Sequence, residues 1–134
     1  MLPWTIPAGQ LKMLGMYGQS APVGVGVDIV EMKRAKGIRL QRRFAEYFLT
    51  PSELAAWEGN SDKVAFIASR FAAKEAVIKA YPGFLRPHDF EIIKKGKKPM
   101  VRFLVSASCL RYRALVSLAH STDYAVGYAI IFEK

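Results

Sequence analysis

A chain of 134 residues suits one compact domain, and with 51% hydrophobic and 12% aromatic residues it can bury a core, which excludes a disordered chain. Its one cysteine, Cys109, excludes an internal disulfide framework and a cysteine-only zinc site, and fits a reducing, cytoplasmic setting. Twenty Lys and Arg against eleven Asp and Glu give a net charge of +9, which speeds encounter with an anionic partner: nucleic acid, membrane headgroup, polyphosphate or acidic protein.

Residues 1–22 read as an N-terminal arm. Pro3, Pro7 and Gly9 interrupt it, and it lacks the basic start and continuous apolar stretch of an export signal. From Val23 the chain alternates: Val23, Val25, Val27 and Ile29 on one face, Gly24, Gly26 and Asp28 on the other, which is the period of a strand. Paired glycines mean that something approaches the backbone closely, either a packed helix or a ligand. Ile29 at the third glycine position excludes a GxGxxG dinucleotide fingerprint. A helical stretch follows, with Leu40, Phe44, Tyr47 and Phe48 on one side and Arg39, Arg42 and Arg43 on the other. Thr50-Pro51-Ser52-Glu53 is a capping box with proline at the first helical position; it starts a short helix through Leu54 and Trp57 that stops at Gly59.

A longer helix is expected from Ser61 or Asp62 to near Tyr81, before Pro82-Gly83. Val64, Ile67, Ala68, Phe71 and Ile78 form its apolar stripe, with Glu75 in the middle and Lys79 one turn beyond. Lys63, Arg70 and Lys74 line the other edge, and a third face is small throughout: Ala65, Ser69, Ala72, Ala73, Ala76 and Ala80. Such a helix is central and buried. Strands at 88–94, 100–105, 114–119 and 124–132, with turns at 96–99 and 120–123, complete an α+β domain over residues 23–134. The apolar run from Tyr124 to Phe132 is far below the ~20 residues of a membrane-spanning helix.

Glu75 is the residue that asks for a chemical reason. An ionised carboxylate on a buried face costs several kcal/mol unless it is compensated. An i,i+4 pair with Lys79 contributes only about 0.2–0.5 kcal/mol. Two readings stand: that ion pair, or a metal site completed by Asp28, since Mg²⁺ is commonly held by one or two carboxylates together with substrate phosphates and water. Arg70, Lys74 and Lys79 around Glu75 fit a phosphate-bearing ligand; for Lys74 the other reading is a side chain that snorkels to solvent. His120 opens a hairpin turn, where a histidine is ordinarily a surface residue. Serine-hydrolase, HExxH and GK[ST] phosphate-loop motifs are missing. The arginines of 39–43 lack aromatic neighbours on their face, which favours a docking surface for an acidic protein over nucleic acid.

Four segments, GVGVDIVEMKR, RFAEYFLTPSEL, SRFAAKEAVIKA and LVSLAHSTDYAVGYAII, stand in the order found in the holo-[acyl-carrier-protein] synthase family, and the chain resembles that family from about Val23 to Phe132. The resemblance implies an enzyme that moves 4′-phosphopantetheine from coenzyme A to a serine of an apo-acyl carrier protein, releasing 3′,5′-ADP, in support of fatty acid biosynthesis. It implies that Asp28 and Glu75 hold Mg²⁺ against the coenzyme A pyrophosphate, with Lys79 beside them at the catalytic centre. By the same resemblance Arg70, Lys79 and His120 contact coenzyme A, and Lys63, taking the part of a lysine preceding the helix, joins them in binding it. Arg34 would grip the acidic helix of the carrier, with Arg39, Arg42 and Arg43 extending that surface. A homotrimer with active sites between subunits is implied, with no nucleic acid and no membrane as partners. A catalytically silent relative that binds carrier protein or coenzyme A is the alternative. Two departures from the family stand out: a shorter loop, Tyr81-Pro82-Gly83-Phe84-Leu85, where the family has G-T-G-I, and an extra lysine in Gly96-Lys97-Lys98-Pro99.

Overall fold

The alternation from Val23 does produce a strand, but the face that meets the core is the glycine face. In the computed structural model, which describes residues 21–40, 42–104 and 111–134 (38–40 in their backbone alone), β1 spans Pro22–Glu31 and runs directly into α1 (Met32–Leu40). Most of the arm expected at 1–22 lies outside the described residues, and Pro22 already belongs to β1. Then come α2 (Arg42–Phe48), α3 (Pro51–Glu58), α4 (Lys63–Ala80), one 3₁₀ turn (Pro87–Asp89), β2 (Phe90–Lys95), β3 (Lys98–Phe103), β4 (Tyr112–His120) and β5 (Tyr124–Glu133). The strands form two antiparallel sheets, β1-β5-β4 and the hairpin β2-β3. The α+β expectation holds, with α4 at the centre.

Local chemistry explains the helix ends. At the start of α3 the Thr50 N–H donates to Glu53 Oε1 at 3.0 Å, and the Glu53 N–H donates to Thr50 Oγ1 at 3.4 Å, the reciprocal capping box. Asp62 caps α4 by accepting from the Ala65 N–H at 3.1 Å. The helix stops when Tyr81, preceding Pro82, turns extended at φ −71° and ψ 129°. Residues Pro87–Asp89, expected in part as strand, instead make the 3₁₀ turn. Tyr47, expected on the apolar side of its helix, is 76% exposed. Phe44 and Phe48, one turn apart, both stack near Phe71, and Tyr47 is rotated about 100° away from Phe48.

The close approach announced by the paired glycines is α4 itself. A Cβ at Gly24 would lie 1.8 Å from the Ala80 carbonyl oxygen, and one at Gly26 would lie 2.0 Å from that of Ala76. Gly127, paired with Asp28 in the next strand, would meet the Ala72 backbone at 2.4 Å. The small face of α4 thus lies directly on the glycine stripe of the sheet, and Ala72, Ala76 and Ala80 are buried. The opposite sheet face is left open in the single chain. Val25 and Ile29 are 60% and 62% exposed, and Val27, Leu115 and Tyr128 beside them are exposed too.

Candidate active site

Seating α4 on glycine brings its flank against β1. Lys79 Nζ donates to Asp28 Oδ1 at 3.0 Å and to the Val27 carbonyl at 3.2 Å. Glu75 sits one turn earlier on the same flank and is half-buried. Partial burial pushes its carboxyl pKa above the ordinary range, the Asp28 charge adds to the rise, and Lys79 opposes it. The sequence reading of Glu75 as lodged in a buried stripe needs correction. Of the expected stripe only Ile67 and Ala68 are fully buried, while Val64, Phe71, Glu75 and Ile78 are half-buried; it is the alanine face that lies against the sheet.

This flank fits a hard divalent cation. Two carboxylates interact repulsively at a half-exposed site, and among the described residues no group of three or more His, Cys, Asp and Glu forms a fuller cage. Asp28 and Glu75 would supply the protein oxygens, leaving the other positions to phosphate and water, the usual sharing for Mg²⁺.

Arg70 belongs to a different cluster. Nine residues at about 100° each put it on the side of the helix opposite Lys79. There it lines a cleft of about 310 Å³ together with Phe66, Ser69, Lys94, Lys97 and His120. Its guanidinium stacks 4.7 Å from the Phe66 ring centroid, and burial pulls its pKa below the usual arginine value, with the Glu53 charge opposing. Asp28, Glu75 and Lys79 do not line this cleft. The coenzyme-contacting residues expected from sequence are therefore divided between the two flanks of one helix.

Three other expectations land elsewhere. Lys74 neither faces a ligand nor snorkels: it is 1% exposed, with Nζ 2.6 Å from Glu53 Oε1 and donating to the carbonyls of Phe48, Pro87 and Phe90. The buried capping glutamate captures it, because each charge compensates the burial of the other. Lys63 Nζ donates to the carbonyls of Glu58 and Asn60 at 2.8 and 3.0 Å and so ties the turn between α3 and α4. Arg42, like Arg34 and Arg43, is exposed, and it is also engaged by Glu46 at 2.9 Å and by Glu58. The Arg39 side chain lies outside the described residues.

Sequence reasoning missed Ser69, Lys94 and Lys97 in the cleft. It also missed Glu91, which accepts from Thr50 Oγ1 at 2.8 Å and Ser52 Oγ at 2.6 Å and pairs with Arg102. Glu91 and Arg102 are direct partners in the β2–β3 register, so an exact hairpin pairing is the signal that would have found them.

Comparison with known proteins identifies the family. The family described as the 4′-phosphopantetheinyl transferase superfamily matches residues 24–129. The holo-[acyl-carrier-protein] synthase of Chlorobium limicola is 39% identical over 115 residues, covering 80% of this chain and 91% of the relative. That of Anoxybacillus flavithermus is 39% identical over 116 residues, covering 81% and 94%. The crystal structure of the Bacillus anthracis synthase in complex with CoA (3′,5′-ADP) superposes with a TM-score of 0.70 at 29% identity, covering 84% of this chain and 97% of that one. The Helicobacter pylori synthase in complex with coenzyme A gives a TM-score of 0.65 at 28% identity, covering 82% and 99%. With the family matched across most of the chain, and the carboxylate pair and the cationic cleft both built on one central helix, this protein belongs to the holo-[acyl-carrier-protein] synthase family of 4′-phosphopantetheinyl transferases.

Proposed function

We propose that the chain transfers the 4′-phosphopantetheine arm of coenzyme A to a serine of an apo-acyl carrier protein, using Mg²⁺ held by Asp28 and Glu75. The observation that carries this reading is the convergence of Asp28, Glu75 and Lys79 on one flank of α4. The serine oxygen forms a bond to the β-phosphorus as the bond from that phosphorus to the bridging oxygen breaks. The serine proton passes to water, and 3′,5′-ADP departs with the bridging oxygen and its electron pair. When bound, Mg²⁺ supplies positive charge against the pyrophosphate. Lys79 brings a second positive charge to the same flank, where it offsets the charge that develops on the leaving phosphate.

The other flank takes the rest of the coenzyme. Coenzyme A carries one phosphate outside its pyrophosphate, the 3′-phosphate of the ribose, and the cleft of Arg70, Lys94, Lys97 and His120 is its cationic counterpart. Two half-sites on opposite flanks of one helix suit a centre shared between copies of the chain. The exposed face of Val25, Val27, Ile29, Leu115 and Tyr128 supports assembly, here as a homotrimer. Arg34 and Arg43, exposed on α1 and α2, are the docking cations for an acidic carrier.

The test is direct. Incubated with apo-carrier, coenzyme A and Mg²⁺, the protein should raise the carrier mass by one phosphopantetheine arm, and chelating the metal should stop it. A carrier mass unchanged after long incubation would sink the transferase reading. Sedimentation at the mass of a single chain would sink the trimer.

A further inference from the structure

Buried polar atoms almost always have a hydrogen-bond partner, so an exception needs a cause. Among the described residues two buried side-chain atoms have none: Ser69 Oγ and Arg70 Nε. They belong to consecutive residues of α4, and both residues line the 310 Å³ cleft. A serine within a helix ordinarily bonds back to the carbonyl one turn earlier, which here is that of Ala65, yet Ser69 does not. Nor is a hydroxyl needed for packing, because the rest of that helix face is alanine at 65, 72, 76 and 80.

The chemistry of the wall says what would satisfy both. Each of these groups can donate, and a phosphate monoester carries close to two negative charges and offers three terminal oxygens that accept. Lys94, Lys97 and His120 surround them. The one carboxylate of the cleft, Asp62, is occupied in capping α4 through the Ala65 N–H. We propose that Ser69 is a specificity-determining residue: its hydroxyl, beside the Arg70 Nε–H, donates to the 3′-phosphate of coenzyme A and so distinguishes the coenzyme from its 3′-dephospho form. This rests on the transferase reading above and adds to it a residue on which that reading does not depend.

Titration calorimetry of adenosine 3′,5′-bisphosphate (3′,5′-ADP) and of 5′-AMP against the wild type and Ser69→Ala tests it. The substitution should weaken the bisphosphate about tenfold, the effect of losing one hydrogen bond to a charged group, and leave 5′-AMP within about twofold. The ligand-free melting temperature should stay level or rise, because the unmet hydroxyl is gone, whereas a hydroxyl with a structural role would lower it. In turnover, the preference for coenzyme A over 3′-dephospho-coenzyme A should shrink by the same factor. Equal bisphosphate affinity in both proteins, or an equal loss for both nucleotides, overturns the role of Ser69. A wild type that binds the bisphosphate no better than 5′-AMP overturns the placement of coenzyme A itself, a distinct result.

Discussion

Replacing Lys74 with methionine separates a structural lysine from a substrate-binding one. The ammonium lies in a cage of four oxygens: Glu53 Oε1 at 2.6 Å and the carbonyls of Phe48, Pro87 and Phe90 at 2.8, 2.6 and 3.0 Å. The two side chains are 1% and 2% exposed, so neither charge can recover solvation without unfolding. Methionine would leave Glu53 with the backbone N–H groups of Thr50 and Ile92 as its donors. Breaking a buried pair in this way costs about 3–5 kcal/mol, against a total stability of about 5–15 kcal/mol for an ordinary domain. The midpoint of thermal unfolding should fall by on the order of 10 °C. Urea unfolding at fixed protein concentration measures the loss, and steady-state kinetics below the transition should return an unchanged KM for coenzyme A. Adding Glu53→Gln should recover part of the stability, because the uncompensated charge is then removed as well. A loss under about 1 kcal/mol with a large rise in that KM would refute the reasoning and return Lys74 to the substrate.

Gly26→Ala should destabilise the fold by about 1–3 kcal/mol or more in chemical denaturation, since its Cβ would sit 2.0 Å from backbone that cannot yield; a neutral effect would mean that α4 is not seated as described. Asp28→Asn and Glu75→Gln should each lower kcat/KM by more than about 100-fold in the carrier mass assay; Glu75→Gln should do so with no fall in melting temperature at neutral pH because it relieves a like-charge contact, whereas Asp28→Asn also gives up its half-exposed pair with Lys79 and should change that temperature only slightly. Either variant keeping full Mg²⁺-dependent activity would refute the carboxylate pair. Glu91 is half of a network whose sign can be worked out. Burial raises its pKa, but hydrogen bonds from Ser52, Arg102 and Thr50 together outweigh that and hold it below the ordinary 4.5. Its stabilisation is therefore present above pH ~4.5 and lost as pH falls through the depressed value, and in an acid-unfolding titration Glu91→Gln should flatten that limb. Arg34→Glu should raise the carrier KM more than it lowers kcat, whereas an equal fall in kcat and kcat/KM would remove its docking role.

Much of this was legible in residue spacing because it depends on local periodicity. The alternation from Val23 fixes which residues share a face with Asp28, and the row of alanines in α4 matches Gly24 and Gly26 as a surface that can be approached. The capping box at Thr50 is likewise a four-residue affair. What escaped notice depends on partners distant in the chain. Lys74 meets Glu53 across 21 residues and the Phe90 carbonyl across 16, so its own helix position made it look like an edge cation. The division of Arg70 from Lys79 follows from which face of α4 the sheet takes, and both the apolar stripe and the alanine face were candidates. Which face of β1 meets the core was not legible from the alternation alone: the valine face looks outward in one chain, because the glycine face accommodates the helix more closely than side chains would allow.

The glycine–alanine seam has a consequence for the chemistry it never touches. Interaxial separation in a helix-on-sheet pair is set by the bulk of what lies between, and here that bulk is three glycine hydrogens against the bare backbone of Ala72, Ala76 and Ala80. Lys79 reaches Asp28 only because the spacer is that thin. Any methyl added to the seam would act as a shim, widening the gap between the strand carboxylate and the helix carboxylate together. The tolerance of the proposed ion-binding pair is thus machined by the residues with the least chemistry in the chain.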